Sequence, residues 1–269
     1  MPKPRRQFVD TEYGQMHVRV STPEKATKLP LLCLHQSPKS SWEFIEFMTA
    51  VSDDRLVIAP DYPGMGESDK PPAEPHVMIQ DYAKTVWEIV DHFGLEYIDV
   101  FGNHTGSLVA VEMAWQRPNH IHKLVLVSAV SLTEEEEADF KNTFLPVPLD
   151  EEGTRFAHLW KMIKEHHGPN IALEMMAESL AESLRGGEAY EWGHQAAFTY
   201  NKKFVKRATE IGHTVTIINP DDVLSDLTIR SHPLFKNGKL ENHPQWGQGF
   251  LKIYANDVAR TVKVALDTC

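Results

Sequence analysis

Short apolar stretches recur along the chain and are separated by segments of mixed polarity. Some of these stretches are unbroken, as in Leu31–Leu34 and Leu124–Val127. Unbroken runs of this length are typical of strands buried on both faces, as in a parallel sheet flanked by helices. The pattern predicts six strands, at Met16–Val20, Pro30–His35, Arg55–Pro60, Ile98–Gly102, Leu124–Ala129 and Thr214–Asn219.

The segments between these strands have helical periodicity. Apolar residues recur at spacings of three and four along Ile79–Phe93, and Gly94 follows where a helix end favours glycine. A second helix is predicted around Leu108–Ala114, ended by Pro118, and a last one over Ile253–Leu266. Strands that alternate with helices indicate a doubly wound α/β fold.

Residues 133–212 interrupt this alternation. They contain no convincing strand, and helices are predicted at Phe156–His166 and Ile171–Leu184. The run Glu134–Glu137 is typical of a solvated helix N-terminus, where acidic residues are favoured. Open α/β sheets bind ligands at the carboxyl ends of their strands, so we expect this insertion to form a lid there. Its inner face is predicted to be apolar, from Trp160, Met162, Met175, Met176 and Trp192. The chain is thus divided into a core of residues 1–132 and 213–269 and a lid of residues 133–212.

Composition narrows the possible partners and the compartment. The 269 residues include 27 Lys and Arg against 38 Asp and Glu, a net charge of −11, which disfavours nucleic-acid binding. Two cysteines, Cys33 and Cys269, are too few for a disulfide scaffold and fit a reducing compartment. We expect no secretion signal, because the basic start lacks an apolar segment behind it, and no membrane span. The sequence therefore predicts a cytoplasmic protein, either monomeric or homodimeric, that binds a small molecule.

The segment Asp99–Gly106 offers the strongest candidate chemistry. A predicted strand enters a tight turn, Gly102-Asn103-His104-Thr105-Gly106, and a predicted helix follows at once. This is the setting of a G-x-nucleophile-x-G elbow, whose glycines allow a sharp turn with one side chain at its apex. The apex lies at a helix N-terminus, which favours negative charge developing on a substrate.

Four further motifs, in the right order, make the chain similar to the α/β-hydrolase superfamily. His35-Gln36-Ser37-Pro38 resembles the His-Gly loop after the third strand, and Pro60–Asp69 resembles the D-x-x-G-x-G-x-S segment. Asn219–Asp222 lies where the family has its acid, and Trp246–Phe250 resembles its W-G-H-G-F histidine loop. The resemblance implies an α/β-hydrolase fold, with a mostly parallel central sheet flanked by helices and covered by a helical lid.

The departures from that family pattern concern the catalytic positions. His104 stands where the family has Ser, Cys or Asp, and Gln248 stands where it has the catalytic histidine. The acid position is kept as Asp222, with Asp221 as an alternative. Serine esterase chemistry is therefore not expected, since the hydroxyl and its base are both missing. The chain is similar to relatives whose elbow is G-x-H-T-G, so His104, Asp222 and Gln248 are the predicted catalytic set.

Several roles remain open for these residues. His104 is a nucleophile, a general base or an inactive residue, because a neutral imidazole needs no prior deprotonation. Gln248 has no useful pKa, but its amide can hold the imidazole tautomer or a water, and Asp222 either binds that amide or is idle. The predicted oxyanion and substrate-binding residues are Gln36, Thr105, His35 and Trp246. Among these, the oxyanion donors are the backbone N–H groups of Thr105 and Gln36, while His35 also suits a structural role in its loop.

The sequence favours an enzyme without cofactor or metal. The histidine pairs His120 with His122 and His166 with His167 lack the spacing of metal ligands. His243, five residues before Gln248, is a candidate substitute base. The predicted function is a hydrolase or lyase that acts on a small, largely apolar carbonyl or ester compound under the lid. The alternatives are a catalytically inactive small-molecule binding protein on the same fold and a protein whose pocket is vestigial.

Overall fold

A computed structural model describes residues 3–166 and 171–268. Its single sheet has eight strands in the order β1-β2-β4-β3-β5-β6-β7-β8. The pairs β1·β2 and β2·β4 are antiparallel, and the pairs from β4 through β3 to β8 are parallel. The strands are β1 (Arg5–Thr11), β2 (Gly14–Ser21), β3 (Leu31–Leu34), β4 (Val57–Pro60), β5 (Ile98–Asn103), β6 (Ile121–Val127), β7 (Thr214–Pro220) and β8 (Gly238–His243).

Helices flank the sheet on both faces, and strand β3 shows why. Leu31 and Cys33 pack into one apolar core, while Leu32 and Leu34 pack into the other, because successive side chains of a strand point to opposite faces. The helices are α1 (Ile45–Val51), α2 (Ile79–His92), α3 (Thr105–Gln116), α4 (Glu134–Thr143), α5 (Thr154–His166), α6 (Leu173–Arg185), α7 (Trp192–Thr199), α8 (Asn201–Glu210), α9 (Ser225–Ser231), α10 (Phe250–Ile253) and α11 (Ala255–Asp267). The predicted doubly wound α/β fold is confirmed.

All six predicted strands are present, and the structure adds β1 and β8. These two are the edges of the sheet, and their side chains are mostly exposed or half-buried, so neither has an unbroken apolar run. Strand β6 begins at Ile121, three residues before its predicted start, and ends at Val127, two residues before its predicted end.

The chain between β6 and β7 forms helices α4–α8 and, within the described residues, no strand. Helices α5 and α6 confirm the two helices predicted there. The run of four glutamates opens α4, where Thr133 and Glu136 cap each other: the N–H of Glu136 donates to Oγ1 of Thr133, and the N–H of Thr133 donates to Oε2 of Glu136. The prediction of a helix N-terminus at this run is therefore confirmed.

A buried polar cluster joins this part of the chain to the core. Glu112 of α3 is only 1% exposed, accepts the hydroxyl of Tyr200 at 2.5 Å and contacts the guanidinium of Arg207 on α8. The Arg207 guanidinium lies over the ring of Trp115, 3.7 Å from its centroid. Since a buried carboxylate is costly unless it is paired, this contact fixes α8 against α3.

Candidate active site

The turn between β5 and α3 holds His104 in a strained backbone conformation. Its φ is 48° and its ψ is −110°, a combination that residues with a Cβ seldom adopt. A Cβ on Gly102 would lie 2.5 Å from the carbonyl oxygen of Gly106, and one on Gly106 would lie 2.0 Å from that of Leu34. The two glycines therefore let α3 begin close against the sheet, with His104 at the apex of the turn.

His104 faces the carboxylate of Asp222, which follows β7. Nε2 of His104 lies 3.3 Å from Oδ2 of Asp222. The hydroxyl of Ser128 donates to that same oxygen at 2.7 Å, and the N–H of Leu224 donates to Oδ1 at 2.8 Å. Burial raises the pKa of the Asp222 carboxyl, but His104 and these two donors together outweigh burial, and the net pKa is below the usual value. Asp222 is therefore held as a carboxylate beside the imidazole.

This contact determines which ring nitrogen of His104 is available. A carboxylate oxygen only accepts hydrogen bonds, so the contact favours the tautomer with its proton on Nε2. Nδ1 then has a lone pair, and among the described residues it has no hydrogen-bond partner. An imidazole in this state is able to take a proton from water or to attack a carbonyl carbon.

His104 lines a cavity of about 560 Å³. Helices α3–α8 supply most of its wall, and the rings of Phe140 and Phe198 stack there with centroids 5.0 Å apart. A cavity of this size and lining suits a small apolar ligand. Its apolar side chains include Leu108, Phe140, Phe144, Leu159, Met162, Ile163, Ala197 and Phe198.

A second, smaller cavity of about 110 Å³ adjoins the first, and eight of the residues that line it are ionisable. Its ionisable side chains are Lys39, Glu43, Glu46, His104, Glu178, Glu182, Asp222 and Lys252. Gln36, Lys39, His104, Ser179 and Gln248 line both cavities. The imidazole of His104 thus lies between a mainly apolar chamber and a smaller one that is rich in ionisable side chains.

The structure brings most of the predicted site residues together. Thr105 lines the large cavity, and Gln36 and Gln248 line both. Among the described residues the Gln248 side chain has no hydrogen bond, so the amide is not held by Asp222, whose carboxylate instead faces His104. Asp221, the alternative acid, is exposed.

His35 and Trp246 are buried beside the site without lining either cavity. Nδ1 of His35 lies 2.7 Å from the carbonyl oxygen of Gln36, and its Nε2 accepts the N–H of Tyr62 at 3.1 Å. Burial lowers the pKa of the His35 imidazole, which keeps it neutral in this role. The side chain of His35 therefore supports the loop after β3.

Trp246 is 1% exposed and packs between two other rings. It stacks on His243 with centroids 4.0 Å apart and on Phe250 with centroids 5.6 Å apart. His243 lines neither described cavity. The structure therefore gives His243 no position from which to replace the missing base.

The backbone donors near His104 differ from those predicted. The N–H of Gln36 donates to Oε1 of Glu43 at 3.2 Å, so this donor is already paired. The next residue, Ser37, lines the large cavity, and its N–H makes no hydrogen bond to any residue that the structure describes. The N–H of Thr105, in the first turn of α3, is one of those that a helix leaves without an intrahelical acceptor.

Glu43 is a half-buried carboxyl that contacts this loop and lines the small cavity. It accepts the backbone and side-chain amides of Gln36 and the side-chain amide of Asn103. Burial raises the pKa of Glu43 to about 7, more than these hydrogen bonds lower it. Its charge therefore changes near neutral pH beside the candidate oxyanion site.

Some residues of the site have no sequence signal. Ser128, Ser37 and Glu43 are of types that occur on any surface, and only the tertiary structure buries the two serines and half-buries Glu43. Of the apolar inner face predicted for residues 133–212, Met162 lines the large cavity and Met175 the small one. Trp192 instead packs against His76, with ring centroids 4.8 Å apart. The aromatic part of the cavity wall comes from phenylalanines that the sequence analysis did not single out.

The many histidines of the chain form no metal site in the part of the chain that the structure describes. Among residues 3–166 and 171–268, no group of three or more His, Cys, Asp or Glu side chains is arranged to hold a metal ion. His122 instead contacts Asp99 at 3.0 Å, and His120 contacts the carbonyl oxygen of Glu96 at 2.8 Å. His167 lies outside the described residues. No helix in the described part of the chain is long and apolar enough to cross a membrane.

The sequence of the chain matches a known protein family. The model of the alpha/beta hydrolase fold matches residues 30–174, more than half of the chain. The chain is 28% identical over 119 residues to haloalkane dehalogenase 2 of Mycobacterium bovis, covering 44% of this chain and 40% of that protein. It is 31% identical over 103 residues to the soluble epoxide hydrolase of Corynebacterium sp., covering 38% of this chain and 35% of that protein. The match thus spans less than half the length of each of these two relatives.

Similarity to solved structures extends over the whole chain. An esterase from Exiguobacterium antarcticum superimposes with a TM-score of 0.80 at 15% identity, covering 97% of this chain and 99% of that one. At this identity the similarity establishes the fold alone. With the family match and the eight-stranded, mostly parallel sheet, it leads to one conclusion: the chain belongs to the α/β-hydrolase family.

Proposed function

We propose that the protein is a hydrolase of small, largely apolar esters and that His104 with Asp222 forms its catalytic pair. The supporting observation is the contact between Nε2 of His104 and the buried Asp222 carboxylate at the edge of the large cavity. In a Ser-His-Asp triad the imidazole stands between the acid and a hydroxyl. Here the imidazole itself occupies the elbow and keeps the acid as its partner.

In the proposed reaction Nδ1 of His104 removes a proton from water as the water oxygen attacks the ester carbonyl carbon. The backbone N–H groups of Thr105 and Ser37 stabilise the resulting oxyanion. The carbon–oxygen bond to the alcohol then breaks, the alcohol oxygen takes a proton from solvent or from a side chain of the cavity, and the acid is released as His104 returns its proton to solvent. Asp222 stabilises the imidazolium while the proton is on His104.

Two related reactions begin from the same lone pair. In one, Nδ1 attacks the carbonyl carbon directly, and water later hydrolyses the acyl-imidazole. In the other, Nδ1 removes a proton from carbon and a C–C or C–X bond is cleaved. Gln248 has the same role in each, because its amide lines both cavities and can orient water or substrate but does not exchange protons.

Substrate selection is proposed to depend on helices α4–α8 acting as a lid. Helix α6 is held to the loop after β3 by Lys39 and Ser40. Nζ of Lys39 donates to the carbonyl oxygen of Ser179 at 3.1 Å and also contacts its hydroxyl, and the hydroxyl of Ser40 donates to Glu182 at 2.6 Å. The cavity beneath is mainly apolar, so short acyl chains without charge are the expected substrates. Because two relatives are named for haloalkanes and epoxides, both classes belong in the substrate panel.

The test compares wild type with His104→Ala on p-nitrophenyl esters, with mass spectrometry of products and of the intact protein. We expect turnover in wild type and a loss of about 10²–10⁴-fold in the variant, the range of general acid–base catalysis. His166→Ala is the matched control, since His166 lines the same cavity without contacting Asp222. An acyl adduct on His104 identifies it as the nucleophile, whereas turnover without an adduct supports the base. Equal activity in wild type and His104→Ala would overturn the proposal.

One observation favours a second candidate, a binding protein without turnover. The Glu43 carboxyl accepts the N–H of Gln36, and above its pKa of about 7 its negative charge opposes an oxyanion in that place. A binding protein would show a ligand-dependent increase in Tm without consumption of the ligand. Thermal-shift screening of the same panel, followed by product analysis, separates the two candidates.

A further inference from the structure

A second histidine–carboxylate pair lines the large cavity. Glu191 ends the short 3₁₀ turn Gly187–Glu191, and His194 lies in the first turn of α7. A carboxylate oxygen of Glu191 is in hydrogen-bond contact with Nδ1 of His194. Both residues belong to the cavity wall that also contains His104.

The surroundings leave one ring nitrogen of His194 free to exchange protons. Glu191 is only 3% exposed, and His194 is its one ion-pair partner among the described residues, so the carboxylate favours a proton on Nδ1. Nε2 has no hydrogen bond to any described residue. The ring orientation is fixed by Phe144, with centroids 4.4 Å apart, and by Phe198, whose ring is 5.9 Å away and within 3° of parallel.

Close packing holds α7 against the loop that carries the free N–H. A Cβ on Gly193 would lie 2.1 Å from Oγ of Ser37, so only a glycine allows this approach without a shift. Helix α7 also packs on α3, the helix that begins directly after His104. Leu108 of α3 and Ala197 of α7 both line the cavity. His194 is therefore held on the wall of the cavity that also contains His104, next to the glycine that packs on Ser37.

We propose that His194 is a second catalytic residue, the general acid that protonates the leaving oxygen. The proposal rests on the hydrolase function proposed above. As the carbon–oxygen bond breaks, the electron pair goes to the alcohol oxygen, and the imidazolium form of His194, with its Nδ1–H on Glu191, gives that oxygen the proton on Nε2. After the products leave, His104 releases to solvent the proton that it took from water, and solvent returns a proton to Nε2 of His194. Ester and water are thus converted to acid and alcohol with no other reactant.

The test uses two esters with the same acyl group, p-nitrophenyl butyrate and ethyl butyrate. A p-nitrophenolate leaves without a proton, whereas an ethoxide needs one, so only the second ester depends on a general acid. For His194→Gln we expect kcat/KM on ethyl butyrate to fall about 10²–10³-fold, within the usual range of general acid catalysis, and on p-nitrophenyl butyrate only a few-fold. Glu191→Gln should show the same discrimination to a smaller degree.

Two controls separate proton transfer from a structural role. His166→Gln removes another histidine of the same cavity, and Phe198→Leu removes the ring stacked on His194. We expect both to change the two esters by the same factor. If His194→Gln fails to fold by its urea unfolding curve, His194→Asn and Glu191→Gln take its place.

The outcomes separate this proposal from the one it rests on. If wild type hydrolyses both esters and the His194 and Glu191 variants lower both equally or neither, His194 is not the acid and the hydrolase function stands. If wild type hydrolyses neither ester, the hydrolase function and the role of His194 fall together. A selective loss on ethyl butyrate, with His104→Ala losing both esters, supports both.

Discussion

Glu43→Gln gives the most direct test of the electrostatics described for this site. Burial raises the pKa of the Glu43 carboxyl from 4.5 to about 7, so the folded protein favours the protonated form. Below pH 4.5 the carboxyl is protonated in both the folded and the unfolded chain and contributes nothing to the pH dependence. As the pH rises from there to about 7, the unfolded chain loses its proton first, and the folded state becomes less stable.

The loss of stability with rising pH can be calculated from the shift in the Glu43 pKa. Each unit of pKa corresponds to about 1.36 kcal/mol, so the loss of stability is at most about 3 kcal/mol, and water entering the small cavity would reduce it. A glutamine at this position is uncharged and keeps an oxygen for the amides of Gln36 and Asn103. The variant should therefore lose less stability than wild type over the same pH range.

Urea unfolding at about pH 5 and about pH 8 gives the change in the free energy of unfolding with pH for wild type and for Glu43→Gln. The contributions of all other titrating groups are the same in both proteins and cancel in the comparison. Wild type should lose about 2–3 kcal/mol more than Glu43→Gln between the two pH values. Glu46→Gln, which removes a charge from the wall of the same cavity, controls for net charge and should follow wild type. If wild type and Glu43→Gln have the same pH dependence within about 0.5 kcal/mol, the carboxyl is not desolvated as described.

Three other changes test separate parts of the structure. Asp222→Asn should lower kcat about 10²–10⁴-fold, because the imidazole of His104 loses its charged partner. Ser128→Ala removes only one donor to Asp222 and should lower kcat roughly 10-fold. Equal losses of kcat in the two variants would refute the greater importance given to the Asp222 carboxylate. Gly193→Ala should reduce the free energy of unfolding by about 1–3 kcal/mol, because the added Cβ meets Ser37. Gly212→Ala has nothing within 4 Å of the added carbon and should be neutral or slightly stabilising. Equal free energies of unfolding for the two variants in urea would contradict the close packing of Gly193 on Ser37. Arg207→Met should destabilise by about 3–5 kcal/mol, since it leaves the Glu112 carboxylate buried without its cation, and a Tm equal to that of wild type would show that the carboxyl is protonated or hydrated instead.

The sequence was a good guide to the central strands and the elbow because both depend on local pattern. A strand buried on both faces must be apolar at every position, as Leu31–Leu34 is. The glycines at 102 and 106 are required by contacts closer than any Cβ permits. The edge strands gave no such signal, since β8 is half-buried at most positions and needs no apolar run.

The contacts within the site are less predictable because they join distant parts of the chain. His104 and Asp222 were each identified from a motif, but their direct contact depends on the parallel arrangement of β5, β6 and β7. The partial burial of Glu43 depends on the loop after β3 and on Asn103, which both donate hydrogen bonds to its carboxyl. The position of the His194 ring in the cavity wall depends on how α7 packs on its neighbours. The periodicity of the sequence predicts a helix but not this packing.

The two chambers that meet at His104 have a consequence for what the protein can transfer an acyl group to. The smaller chamber, of about 110 Å³, has space for several water molecules, and eight of its lining side chains are ionisable. In the proposed reaction these groups favour water over an apolar alcohol or thiol as the acceptor on that side of the imidazole. Replacing the carboxylates of this chamber with apolar groups should then shift the proposed catalytic pair from hydrolysis toward acyl transfer.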